Sequence, residues 1–100
     1  MAQRDSVTLD ANDETFTLNI DGTERAFITM DFTSTITVTW TISILGGTRF
    51  FALRLADNVT AAAFTADNYL MIEGPCTVRA TASGVSGGSC IIDAHRSFVN

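Results

Sequence analysis

Nine consecutive residues constrain this chain more than any others: Thr35-Ile-Thr-Val-Thr-Trp-Thr-Ile-Ser43 alternates polar and apolar without a fault. Successive side chains of a strand point to opposite faces, so Ile36, Val38, Trp40 and Ile42 share one face and the threonines the other. That is a half-buried strand with a solvated threonine surface. Thr15-Phe-Thr-Leu-Asn-Ile20 repeats the pattern in miniature, with Phe16, Leu18 and Ile20 inward. Fifteen threonines in 100 residues suit such a surface, because the β-branched side chain fits the pleat.

Turn residues punctuate the chain at short intervals. Asp21-Gly22 closes the run 15–20 and leads to Arg25–Phe32. Gly46-Gly47 joins Thr35–Leu45 to Thr48–Leu55 and reads as a turn of the primed type. Gly74-Pro75 opens Thr77–Ser83, and Gly84-Val-Ser-Gly-Gly88 reads as the loop of a hairpin returning along Ser89–Phe98. Shorter runs, Ser6–Leu9, Ala61–Thr65 and Asn68–Ile72, fill the gaps. The alanines of Ala61–Asn68 leave room for a helical turn, but eight residues between strong strands favour a short strand and a turn. The expected fold is all-β: a single antiparallel β-sandwich of jelly-roll type with about eight strands. Its core should hold Phe16, Leu18, Ile36, Val38, Trp40, Ile42, Leu53, Val78 and Ile92.

Length and composition bound the rest. One hundred residues with 46% hydrophobic and 17% charged side chains make a single domain over 1–100, and exclude a disordered chain. Residues 1–5 read as a flexible N-terminal arm. Eleven acids stand against six bases, all of them arginines scattered singly, for a net charge of −5. Nucleic acid is therefore not an expected partner, since phosphate binding calls for a basic face. The longest apolar run, Ala61–Phe64, is far short of the roughly 18 residues of a membrane-spanning helix, so no membrane is expected. The polar start, Met1-Ala-Gln-Arg-Asp-Ser, shows no export signal, which points to synthesis and folding in a cytoplasm.

Residues with chemical potential are few. Asp10-Ala-Asn-Asp-Glu14 begins like a calcium loop, then lacks the sixth-position glycine and the twelfth-position glutamate. A solvated turn explains it. Asp93 and His95 share a face of the last strand, with Ser89 and Ser97 near, but no strained nucleophile turn accompanies them. Cys76, Cys90 and His95 have no metal-ligand spacing, and the glycines do not open a helix. No catalytic residue, cofactor or metal is expected. The cysteines read as two buried thiols, because the expected hairpin sets Cys90 opposite residue 82, well away from Cys76. Phe50 with Tyr69 offers a possible sugar-binding platform.

From Ile36–Leu45 the chain continues Gly46-Gly-Thr-Arg-Phe-Phe-Ala-Leu53, then Asn68-Tyr-Leu-Met-Ile72, Gly74-Pro-Cys-Thr-Val-Arg79 and Ser86-Gly-Gly-Ser-Cys-Ile-Ile92. This layout, over residues 15–98, resembles the small β-sandwich structural proteins of tailed bacteriophages, although Cys76 and Cys90 depart from that group. The resemblance implies a non-enzymatic virion component. A capsid decoration (cement) protein that stabilises the head shell comes first, with a tail, neck or fibre-knob subunit or a carbohydrate-binding module as alternatives. It implies localisation in the virion, with the major capsid or another virion protein and the chain itself as partners. A trimer is the expected homo-oligomer, by analogy with the group. No lysine blunts the strand edges, which also favours a covering subunit. Phe27, Phe50, Val59 and Phe64 fall off the alternation and are the expected oligomer contacts.

Overall fold

The computed structural model describes residues 3–54 and 62–98, with the backbone alone at Gln3 and Arg4. Every regular element among them is a strand: β1 (Gln3–Leu9), β2 (Thr15–Ile20), β3 (Glu24–Ser43), β4 (Phe51–Ala52), β5 (Ala63–Phe64), β6 (Asn68–Glu73) and β7 (Cys76–Phe98). All pair antiparallel within one seven-stranded sheet. Its axis is the pair β3–β7, side by side for nearly their whole length.

A slip in that pair divides the sheet into two arms. Thr33 faces Ser89, Thr35 faces both Ser86 and Gly87, and Thr37 faces Ser83. Bulges bend strands and sharpen their twist. Ser34, Gly84 and Gly87 take left-handed backbone here, with φ of 60°, 58° and 71°. Gly88 lies so close to Thr35 that a Cβ would fall on the Thr35 carbonyl. The 20 residues of β3 would span about 66 Å if straight. The longest dimension of the molecule is 40 Å, so the strand is sharply bent.

On one side of the bend the order is β6–β3–β7–β1, called here the β1 arm. On the other, β4 and β5 flank β3 while β2 flanks β7, giving the β2 arm. Along β3 and β7 the buried apolar residues are even-numbered on both arms: Ala26, Ile28, Met30, Cys90, Ile92 and Ala94, then Ile36, Val38, Trp40, Val78, Ala80 and Ala82. One face of the β3–β7 pair is thus buried on both arms. Trp40, fully buried, lies opposite Ala80, a large residue against a small one. Its indole N–H donates to Met30 Sδ at 3.3 Å, linking the arms. Arg96 links them again, donating from Nη1 to the Asn19 carbonyl at 2.8 Å and from Nη2 to Asp5 Oδ2 at 3.0 Å.

The alternation is realised as read. Leu18, Ile36, Val38, Trp40, Val78 and Ile92 are buried, and Phe16, Ile42 and Leu53 pack against that cluster half-covered. Thr35 is exposed and Thr37, Thr39 and Thr41 are half-exposed on the opposite face. The strand count differs for a physical reason. Arg25–Phe32 and Thr35–Leu45 are one bent strand, as are Thr77–Ser83 and Ser89–Phe98, because Gly84–Gly88 absorbs a bulge and keeps its pairing to β3. Cys90 therefore faces Phe32 and Leu9, whereas Ala82 faces Val38; the expected hairpin is absent. The turn at Gly46-Gly47 is not of the primed type. Gly47 N–H closes on the Ile44 carbonyl at 2.7 Å, with the positive φ at Gly46 in the third position. Residues 3–5, expected in a flexible arm, belong to β1 and face Arg96–Ala94.

Candidate functional site

Even-numbered residues of β2, β3, β6 and β7 fill the interior with Val7 and Leu9 of β1, so whatever the sheet offers a partner lies on the opposite face. On the β1 arm the cross-strand rows are Met71–Phe27–His95 and Tyr69–Thr29–Asp93, flanked by Glu73–Arg25–Ser97. Tyr69 is 60% exposed, Met71 55% and Phe27 41%. The Phe27 and Tyr69 rings meet at 5.6 Å between centroids, tilted by 41°. Beside them Phe27, Thr29, Asp93, Ala94 and His95 line a shallow, open depression. Arg25 Nη2 closes one border with an ion pair to Glu73 Oε1 at 3.0 Å. The result is an apolar centre edged by a carboxylate, an imidazole and an ion pair.

Three of the four expected contact residues lie among the described residues. Phe27 is open on the face just described. Phe64 is not: β5 places it opposite Val38 on the inner face, 8% exposed, so it belongs to the core and not to a surface. Phe50 is half-buried, with the Arg79 guanidinium over its ring at 4.0 Å, and Arg79 Nε donates to Thr17 Oγ1 at 3.3 Å. Val59 lies outside the described residues. The aromatic partner of Tyr69 is thus Phe27 and not Phe50, which sits over β2-arm residues. The signal that would have found the pair was parity: Phe27 and Tyr69 both point away from the inner residues of their own strands.

The remaining constellations resolve into structure. Glu14 Oε1 accepts from the N–H groups of Asp10 and Ala11, each at 2.8 Å, and Asn12 Oδ1 accepts from Val85 N–H at 2.9 Å. The hydrogen bonds from Asp10 hold the Glu14 carboxyl below its usual range, while Glu14 pushes the Asp10 carboxyl up. The acidic stretch is a self-capped turn. Among the described residues no three His, Cys, Asp or Glu side chains gather as a metal site. Both cysteines are free and buried. Burial raises the Cys76 thiol, and burial with the nearby Asp31 carboxylate pushes Cys90 up to about 11. No helix among the described residues is long and apolar enough to cross a membrane. No protein-family model, curated protein or solved structure matches this chain.

Proposed function

We propose that the chain is a non-enzymatic structural protein of a bacteriophage virion, a capsid decoration subunit that holds the head shell through its outer sheet face. The fold part of this reading is that the two arms close on each other as a jelly-roll sandwich. Counting each arm of β3 and β7 separately gives nine strands, four on the β1 arm and five on the β2 arm. The orders β6–β3–β7–β1 and β4/β5–β3–β7–β2, with one shared inner face and the Trp40–Met30 contact, support that closure. Jelly rolls recur in viral capsid and lectin domains, an analogy that raises the prior without assigning a role.

The observation that carries the reading is the exposed Phe27–Tyr69–Met71 surface. Apolar surface gathered on one face and rimmed by charge is what a protein interface requires. Mass spectrometry of purified virions made by the replicon that encodes the chain tests it. The chain should be present in a copy number matching a capsid lattice site. Its absence from particles contradicts the proposal.

A second reading, a carbohydrate-binding module, is favoured by one detail: Asp93 and His95 stand beside the two rings, where a carboxylate and an imidazole can bond sugar hydroxyls. Saturable binding on a glycan array, lost in Tyr69→Ser, would select it over the first.

A further inference from the structure

The hydrogen-bond polarity of the ladder shows which strand edges are open. Gly74 N–H donates to the Glu24 carbonyl at 3.1 Å, and Phe32 N–H donates to Asp67 Oδ1 at 2.7 Å, so even-numbered residues of β3 direct their backbone groups toward β6. Odd-numbered ones then direct theirs toward β7. Directly opposed residues of an antiparallel pair alternate between bonded and non-bonded. In this register the bonded pairs are Thr29–Asp93 and Phe27–His95 on one side of β7, and Ile92–Val7 and Ala94–Asp5 on the other. The backbone groups of Arg4, Ser6 and Thr8 therefore point away from β7, along an edge that no strand among the described residues covers.

β6 and β2 each carry a stop on the outward edge. On β6 the same argument turns Tyr69, Met71 and Glu73 outward. Tyr69 N–H is already taken by Asn68 Oδ1 at 2.8 Å, and the Glu73 carbonyl accepts from the Cys76 thiol at 3.7 Å. On β2, Ala82 N–H to the Glu14 carbonyl turns Thr15, Thr17 and Asn19 outward, and Arg96 occupies the Asn19 carbonyl. β1 alone keeps three consecutive outward residues without such a stop among the described residues, and neither proline nor lysine interrupts it.

We infer that β1 pairs antiparallel with β1 of a second copy, about a two-fold axis through Ser6. Parity keeps inner residues opposite inner ones only if outward residues meet outward ones. Centring on Ser6 sets Ser6 against Ser6 and Arg4 against Thr8, which engages all three outward residues of each copy. Centring on Asp5 would oppose two aspartates, a destabilising like-charge pair, and engage fewer groups. The contact deepens the virion reading by naming its self-association. It is isologous, so it makes a dimer in place of the trimer that the resemblance implies. A ring would need β1 to meet a different edge, and β6 and β2 carry stops while β4 and β5 are only two residues long.

The test is sedimentation equilibrium of the full chain at about 10 µM and above, a range that populates a dimer of micromolar affinity. The expected mass is twice the 10.7 kDa of the monomer. Ser6→Lys and Ser6→Asp should each weaken the dimer about fivefold or more. An equimolar mixture of the two variants should restore it, since only a Ser6–Ser6 register opposes the new charges. Ser6→Pro removes an outward N–H that β7 does not use and should give monomers with an unchanged circular-dichroism spectrum. Met71→Pro, on the stopped edge, should leave the dimer intact. A wild-type monomer at all concentrations, a trimer, or a dimer indifferent to Ser6→Pro and to charge mixing would overturn the inference. Any of these would leave the virion proposal to its own mass-spectrometric test.

Discussion

The two arms of the sheet are built from the same pair of strands and bury the same face, yet their outer faces differ in character. On the β2 arm the odd-numbered positions carry Thr37, Thr39 and Thr41 with Thr15, Thr17 and Thr81, around Arg79. On the β1 arm they carry Phe27, Tyr69, Met71 and Ile91 with Asp93 and His95. The threonine surface is all that a half-solvated sheet requires of its outside. The aromatic surface exceeds that requirement. Burial of the inner face supplies the folding free energy on both arms, so the difference outside points to what the β1 arm meets rather than to how it folds.

The sharpest way to break this comparison is at the shared interior. Trp40→Ala removes the largest buried side chain and its link to Met30, and should cost about 3–5 kcal/mol in denaturant unfolding. Thr39→Ala, one residue away on the outer face, should change stability by about 0.5 kcal/mol or less. Equal effects would mean that the two faces are not distinguished by burial. The bend comes next. Gly88→Ala forces a Cβ onto the Thr35 carbonyl and should cost about 1–3 kcal/mol, read from the shift in unfolding midpoint. An unchanged midpoint would mean that the two long strands are not held against each other there.

A smaller effect separates the arms by their thiols. Cys90 is fully covered in the β1 arm, whereas Cys76 lies at the start of β7 in the β2 arm with a trace of exposure. Native-state labelling with a thiol reagent should therefore modify Cys76 before Cys90. Both folded-state values are raised, so the stability that burial of the protonated thiol confers is complete below the ordinary value of 9.0. For Cys90 it is lost as pH rises through that value toward about 11. Labelling should accelerate over the same interval; a fast Cys90 at pH 8 would show that the β1 arm opens readily.

Alternation makes the inner face legible from Thr35–Ser43 alone, and it places Trp40 and Val38 there. The bend was not legible in the same way. Five residues with three glycines look like a hairpin loop, and only long-range pairing to Thr33–Thr37 shows that the strand runs through them. Phe64 was misplaced because Ala61–Ala63 has no alternation to set its phase; its pairing with Val38 decides it. The candidate site was half legible. Phe27 stands out of phase with Ala26 and Ile28, but its neighbour Tyr69 comes from β6, and single-strand patterns carry no information about which strand lies alongside.

The central claim is that the aromatic face of the β1 arm is not needed for folding. Its most direct test is the unfolding free energy of the double variant Phe27→Ser, Tyr69→Ser. An exposed ring pair contributes about 0.5–1.5 kcal/mol, and the loss should stay within that range with an unchanged circular-dichroism spectrum. A loss comparable to the roughly 3–5 kcal/mol expected for Trp40→Ala would contradict the claim and make that face part of the core.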